Sequence, residues 1–336
     1  MVTSVRSGSL SGYVEVTRQL GLNPGNFLRE VGLDASALAD PQTRISAAAA
    51  CRLLELTAAG ASCQTLGLQI AETRQKFGFG VIGILLAHKR TLREVLLATV
   101  QYRHLLNEAL GIYVETTGDT VTIREEIVTE PGVLKRQATE LAVGVMARHC
   151  STVLGAHWKP RSVHFIHAGP VELHVHRRFF GCPPVFNSDF NGIVCDAADL
   201  DRPNPMADPE LVRYAESLAA PLNVSGPDAI VMDVRRAIYL LLPLEQVNIE
   251  NIAGHLRLGV RTLQRNLDAG GTTFSTLVDE VRHNLALRYM VNPRYSIGRV
   301  GALLGYTRQS SFTHWFTQRF GMTPRAWRAA AAKVPA

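Results

Sequence analysis

The C-terminal third of the chain repeats itself. Ile249, Ile252, Leu256 and Gly259 recur as Ile297, Val300, Leu304 and Thr307, each 48 positions on, and Leu263 and Leu267 recur as Phe312 and Phe316, now 49 on. Isolated apolar matches arise by chance, but six in register around matching turn positions require a duplicated structural unit. The spacing inside each copy is helical, so each predicts a short helix, a tight turn and a second helix.

Helical geometry assigns faces to those second helices at about 100° per residue. In "RQSSFTHWFTQRFGMTPRAW" (Arg308 to Trp327), taking Ser310 as zero, Thr313 falls near 300°, His314 near 40° and Thr317 near 340°. Phe312, Trp315 and Phe316 fall at about 140–240°. One side packs and the other offers short polar groups, with no carboxylate or thiol nearby to build a catalytic centre. In the first copy Val260, Leu263 and Leu267 share about 60° of arc, leaving Arg261 and Arg265 roughly opposite, Gln264 at the margin and Thr262 beside them. An Arg can meet guanine O6 and N7 with two donors, Gln can pair with adenine, and Ser or Thr can reach bases or phosphates. Most polar helix faces are merely solvated. Here the face is duplicated, its residues are base-reading types at the N-terminal turns of the second helices, and the local charge is positive.

That charge is concentrated. Ile230 to Ala336 carries 14 Arg and Lys against 6 Asp and Glu, a net +8 where the whole chain has +6, so the remainder is at −2. A basic segment suits a polyanion, because neutralising phosphates releases condensed counterions.

The 336 residues suit two domains. "LDRPNPMADPEL" (Leu200 to Leu211) and "PLNVSGPDA" (Pro221 to Ala229) interrupt regular structure on either side of a short helical run from Pro209 to about Ala220. The expected organisation is a regulatory domain over 1–205, a linker over 206–228 and an all-α domain over 229–336. The first domain reads as α+β. "AAAACRLLELTAAGA" and "TLREVLLATVQYRHLLNEAL" have helical spacing, the latter with Thr91 as N-cap and Glu94 completing a capping box. "GIYVETTGDTVTIREEI" predicts a hairpin turning at Gly118 and Asp119, with Val121, Ile123 and Glu125 returning on one face. Gln137 to Leu154 is a further helix and "RSVHFIHA" a further strand.

The five cysteines (51, 63, 150, 182 and 195) include no C-x-x-C pair, which argues for reduced thiols rather than a disulfide framework or a thiolate zinc site. No segment nears the ~18–20 apolar residues of a membrane span, and the N-terminus lacks a secretory apolar run. A cytoplasmic location without membrane contact is expected. His164, His167, His174 and His176 lie within thirteen residues. His174 and His176 would share a strand face, but no third ligand is fixed, so hydrogen-bonded strand histidines are expected and no metal. No nucleophile elbow, P-loop or dinucleotide fingerprint is present, and no cofactor or catalytic group is assigned.

"IAGHLRLGVRTLQRNLDAGGTTFSTLVDEVRHNLAL" and "IGRVGALLGYTRQSSFTHWFTQRFGMTPRAWR" resemble the two helix-turn-helix units of AraC/XylS-type transcription regulators, across about Asp233 to Arg328, including the closing G-x-x-P-x-x-[YW]-R. "FGFGVIGILLAHKRTLREVLLATVQYRHLLNEAL" and "HFIHAGPVELHVHRRFFGCPPVFNSDFNGIVCDAADLDRPNPMADPEL" resemble, more loosely, the arabinose-binding-type effector domain of a branch of that family. The resemblance implies that Arg261, Thr262, Gln264 and Arg265 reach one major groove, that Arg308, Gln309, Ser310, Thr313 and His314 reach another, and that "TTFSTLVDEVRHNLALRYM" is a long helix joining the units, with Phe274, Leu277, Val281 and Leu285 inward. Gly259 stands where Ser is usual, His314 where Arg is frequent and Arg308 where an acid is frequent, so His314 is a candidate phosphate contact as well as a base contact. The implied partners are double-stranded DNA, a small-molecule effector, a second copy of the chain and, as a further candidate, RNA polymerase. For the effector, His88, Tyr102, Arg103 and His104 are the candidates, since a cationic group can hold a carboxylate. The competing reading is a DNA-repair thiol transferase fused to the same DNA reader. It requires an activated Cys cluster, which this spacing does not supply.

Overall fold

The computed structural model describes residues 3–74, 77–78, 80–220 and 227–331. The chain divides into two compact units, Met1–Val224 and Ser225–Ala336. In the first, strand β1 (Ser4–Arg6) pairs antiparallel with β2 (Arg44–Ser46), and α1 (Tyr13–Gln19) and α2 (Pro24–Glu30) lie between them in sequence. There follow α3 (Ala47–Gly60), α4 (Leu66–Thr73), α5 (Gly80–Ala87), α6 (Leu92–Gln101) and α7 (Arg103–Leu106). The hairpin comes next, β3 (Leu110–Thr117) and β4 (Thr120–Ile127), then α8 (Arg136–Leu154), β5 (Ser162–Phe165), α9 (His174–Phe180), β6 (Pro184–Phe186), β7 (Asn191–Asp196) and α10 (Pro209–Ala219).

The main sheet has the order β3-β4-β7-β5-β6, antiparallel except for β5 with β6. Its hairpin pairs Thr117 with Thr120 across Gly118 and Asp119, as expected. Gly118 has φ 60° while Asp119 does not share a positive φ, the pattern of a type II′ turn. Alternation on β4 buries Val121, Ile123, Glu125 and Ile127 on one face, and Glu125 is thereby carried into the interior at 4% exposure. Val143, Met146 and Cys150 of α8 belong to the same apolar cluster as Val121 and Ile123.

Helix α4 crosses α8 at unusually close range because position 67 is glycine. A Cβ there would stand 2.2 Å from the Gln137 carbonyl oxygen, while the Gln137 side chain already accepts the Gly67 N–H at 2.9 Å. Gly67→Ala is expected to destabilise the chain by about 1–3 kcal/mol through forced separation of the helices. Urea denaturation measures this, and an unchanged midpoint would mean that the crossing yields freely.

Three expectations need correction. The helix anticipated from Thr91 to Leu110 breaks at Tyr102 (φ −99°, ψ 15°), and β3 begins at Leu110, because the hairpin must enter the sheet there. His174 and His176 lie on helix α9, not on a strand. His176 and Phe180, four apart, face inward and His174 faces outward, until Gly181 at φ 66° ends the helix. The helical run expected from Pro209 to about Ala220 forms as α10, but within the stretch assigned to a linker its Ala215 and Ala219 pack in the core of the first unit. Most of "PLNVSGPDA" lies outside the described residues.

The second unit is helical: α11 (Pro227–Leu241), α12 (Ile249–His255), α13 (Val260–Ala269), α14 (Phe274–Met290), α15 (Ile297–Leu303), α16 (Gln309–Phe320) and α17 (Pro324–Ala331). The pairs α12–α13 and α15–α16 are the two halves of the repeat, and α14 is the connecting helix. Leu277, Val281 and Leu285 on α14 are buried as expected, with Phe274 half-buried. The helix is tied on both sides. Arg235 of α11 meets Glu280 at 2.6 Å and Asn284 donates to the Tyr239 hydroxyl at 3.1 Å. Trp315 Nε1 of α16 donates to Asp279 at 2.8 Å, and the Arg282 guanidinium lies 4.9 Å from the centre of the Tyr306 ring.

Candidate nucleic-acid interface and ligand cavity

Both copies of the repeat close their turn with the same hydrogen bonds. In the first, Leu256 N–H donates to Ile252 O (3.0 Å) and Leu258 N–H to Ala253 O (2.8 Å), with Arg257 at φ 55°. In the second, 48 residues on, Leu304 donates to Val300 O (3.1 Å) and Tyr306 to Gly301 O (2.9 Å), with Gly305 at φ 76°. The left-handed residue and the six-residue bond form a Schellman closure. That conformation is free at Gly305 and costs roughly 1–2 kcal/mol at Arg257. After the turn, Gly259 alone precedes α13, while Thr307 and Arg308 both precede α16. The extra residue is where the offset grows from 48 to 49, and Arg308, not Thr307, is the N-cap of α16. Gly259 has no side chain with which to cap α13, and the Arg308 side chain makes no cap hydrogen bond to α16.

The second helices are oriented by their apolar sides. Leu263 and Phe312 are fully buried, as are Leu267 at 1% and Phe316 at 0% exposure. Phe316 stacks on Phe320 with centroids 4.2 Å apart and meets Phe312 and Trp327 edge-on. On the opposite side Arg261, Gln264 and Arg265 are exposed and Thr262 is half-buried. Arg308, Gln309, Ser310 and His314 are likewise exposed, with Thr313 half-buried.

The arginines of this unit sort into two kinds. Arg235, Arg236, Arg319 and Arg328 are held by protein groups: Glu280, Asp233, Asp279, and the Met290 and Tyr295 carbonyls. The guanidinium groups of Arg261, Arg265 and Arg308 make no hydrogen bond or ion pair among the described residues, and neither do those of the exposed Arg257, Arg294 and Arg325. The arginine that closes the G-x-x-P-x-x-W-R pattern, Arg328, is therefore a structural clamp on the end of α14, whereas those on α13 are bare cations on an exposed face.

The effector candidates do not converge. His88 Nδ1 lies 2.6 Å from the Met206 carbonyl, Tyr102 is in the apolar core, Arg103 donates to Val100 O at 2.7 Å, and His104 is half-buried. None of the four lines the apolar cavity that the structure does contain. That cavity, of about 100 Å³, lies between α3, α8 and the hairpin, and its polar lining includes Arg74, Asn107, Glu125 and His149. Burial, with Arg74 and Arg148 nearby, pushes His149 down to about 3, so it is neutral, and its ring stacks on Phe77 at 4.5 Å. Burial alone pushes the Glu125 carboxyl up to about 8. One sequence signal pointed here: a carboxylate at an inward position of the hairpin alternation. Two of the clustered histidines, His167 and His176, flank a different carboxylate. Glu140, fully buried, is 3.5 Å from His167 Nε2 and 3.4 Å from His176 Nε2.

Two domains of this kind, one enclosing a cavity and the other carrying paired bihelical units with a basic exposed face, define a ligand-responsive DNA-binding regulator. Residues 21–204 match the family model described as the arabinose-binding domain of AraC transcription regulator, N-terminal, and residues 252–330 match a helix-turn-helix domain. The chain is 31% identical over 331 residues to the HTH-type transcriptional regulator VirS of Mycobacterium tuberculosis, covering 97% of this chain and 96% of that one. It is 23% identical over 269 residues to the ornithine utilization regulator of Pseudomonas aeruginosa, covering 79% and 78%. The crystal structure of the transcriptional regulator CdpR from Pseudomonas aeruginosa aligns over 93% of this chain and 97% of that one, with a TM-score of 0.44 and 19% identity. The chain belongs to the AraC family of helix-turn-helix transcriptional regulators. No helix among the described residues is long and apolar enough to cross a membrane.

Proposed function

We propose that α13 and α16 enter successive major grooves of one operator. Arg261, Thr262, Gln264 and Arg265 address the first groove, and Arg308, Gln309, Ser310, Thr313 and His314 the second. Residues 1–205 bind the effector and 229–336 read DNA, with α10 counted as part of the sensor. The observation that carries this reading is the sorting of the arginines: on the exposed side of α13, and at the N-cap of α16, Arg261, Arg265 and Arg308 keep guanidinium groups with no partner among the described residues. Arg257, Arg294 and Arg325 join them as phosphate contacts, which position the protein without reading sequence. Two chains act together, in the cytoplasm, with RNA polymerase as the downstream contact.

The thiol chemistry supports a regulator rather than an enzyme. Burial pushes Cys51 and Cys195 up to about 12 and Cys182 up to about 11. A thiol that accepts an alkyl group needs the opposite shift, toward thiolate.

The test is hydroxyl-radical footprinting of genomic fragments retained by the full chain. Two protected tracts on one face of the duplex, about one turn (~34 Å) apart, are expected for each chain bound. A single tract would remove α16 from the interface.

A further inference from the structure

Glu125 stands apart from every other buried carboxylate of the first unit. Its strand is inside the sheet, where Glu125 sits between Ile112 of β3 and Asn191 of β7. The neighbouring Glu126 is matched by Lys135 Nζ at 2.9 Å, and Glu140 by Arg136 at 3.5 Å through one of its two oxygens. Glu125 is 4% exposed, and neither of its carboxyl oxygens has a hydrogen-bond partner among the described residues. It opens onto the cavity, whose other walls are mostly Ala, Leu, Val and Ile side chains from α3, α8 and β4.

A buried carboxyl without partners costs the fold the desolvation of its polar atoms, protonated or not. Such a group persists when something other than the protein completes it. The remaining titratable groups on the cavity are Arg74, His149 and Cys51, with the Cys150 thiol also close to Glu125. None serves as its counter-ion. Arg74 bonds the Gly8 carbonyl, His149 is neutral, both thiols are pushed up, and burial alone accounts for the raised Glu125 pKa. The walls provide room and apolar contact, and the carboxyl provides a polar group that no hydrogen bond among the described residues satisfies.

We propose that this cavity is the effector site and that it takes a small molecule with an apolar body and one protonated amine, which pairs with Glu125. The inference rests on the regulator reading and gives its effector a chemical class. A cationic donor suits the position better than a hydroxyl, because a charge-assisted hydrogen bond is about twice as strong as a neutral one. A carboxylate ligand would place two carboxyl groups side by side, one of which would have to stay protonated, so it gains no ionic pair from Glu125. A cavity of this size holds only several non-hydrogen atoms, so the ligand body is short. Since Glu125 is protonated at neutral pH before binding and ionised after it, each binding event at pH 7 releases close to one proton.

The experiment is titration calorimetry of the full chain with n-butylamine, n-butanol and butyrate at pH 7, in two buffers of different ionisation heat. Butylamine is expected to bind at least about tenfold more tightly than butanol, one decade corresponding to a single charge-assisted contact, with a proton released; butyrate is expected not to bind. E125Q should erase the preference for the amine, while E126Q, altered at a carboxyl that Lys135 already satisfies, should retain it. Melting provides an independent readout. A carboxyl whose folded pKa is raised above its unfolded value stabilises least where it must ionise, so the wild type loses stability relative to E125Q as pH rises from about 4.5 to about 8. No amine binding, equal binding of amine and alcohol, or an amine preference that survives in E125Q would each overturn the proposal. Retention of genomic fragments by the wild-type chain is scored separately: its failure would sink the regulator reading, while failure of the amine arm alone would sink only this one.

Discussion

Arg261→Ala and Arg265→Ala are each expected to weaken operator binding by about 1–3 kcal/mol and to relax sequence preference in the half of the site that α13 addresses. The helix itself should survive both changes. Its seat is formed by Leu263 and Leu267 on the other side, both essentially inaccessible, and alanine is at least as good a helix former as arginine. The guanidinium groups are exposed and make no hydrogen bond or ion pair among the described residues, so their removal strands no partner there. Thermal melting should therefore be unchanged while affinity falls, a combination that separates recognition from folding. The salt dependence sorts the contact further. An arginine on a phosphate lowers the slope of log affinity against log salt by about one when removed, and weakens all sequences alike. An arginine on a base edge changes the ranking of sequences. Unaltered protection of the operator by both variants would take these residues out of the interface.

Phe316→Ala should act in the opposite manner, losing the fold first and binding in consequence. Its ring is inaccessible and sits among Phe312, Phe320, Trp315 and Trp327. Truncation leaves a cavity at the junction of α16 and α17, and the expected cost is about 3–5 kcal/mol. Because Trp315 of the same helix is hydrogen-bonded to Asp279 of α14, loosening α16 also slackens its attachment to the connecting helix. Urea denaturation followed by Trp fluorescence measures the loss, and a shift below about 1 kcal/mol, the size of a typical surface effect, would show that the aromatic cluster repacks around the gap. The second groove contact should disappear from the footprint before the first.

The second unit was readable from sequence because its constraints are local. A bihelical unit of this size buries few side chains, so each apolar position is indispensable, and a duplicated pattern displays them twice. The same offset that aligns Leu256 with Leu304 also aligns Arg257 with Gly305, the two left-handed turn residues. In the first unit the constraints are long-range. Thr91 caps its helix as the pattern indicates, accepting the Glu94 N–H at 3.3 Å, but nothing local announces that the helix must stop at Tyr102 to admit a strand. "HVHRRFF" alternates over its first residues like a strand, and only the inward pairing of His176 with Phe180 makes it a helix. The cavity was least legible, because its walls come from β1, α3, the α6–β3 segment, β4 and α8, which meet only once the chain is folded. Its one local trace is Glu125, a charge where the hairpin pattern calls for an apolar residue.

The fastening of α14 on both flanks carries a consequence for the genome rather than for the protein. A rod fixed to its neighbours through Glu280, Asn284, Asp279 and Arg282 works as a ruler with no give. If α13 and α16 read two words as proposed, letters within those words can drift, each change costing a modest amount of affinity. One letter added between the words would swing the second out of phase with its reader, so the count of intervening base pairs is the property of the promoter that such a ruler holds fixed.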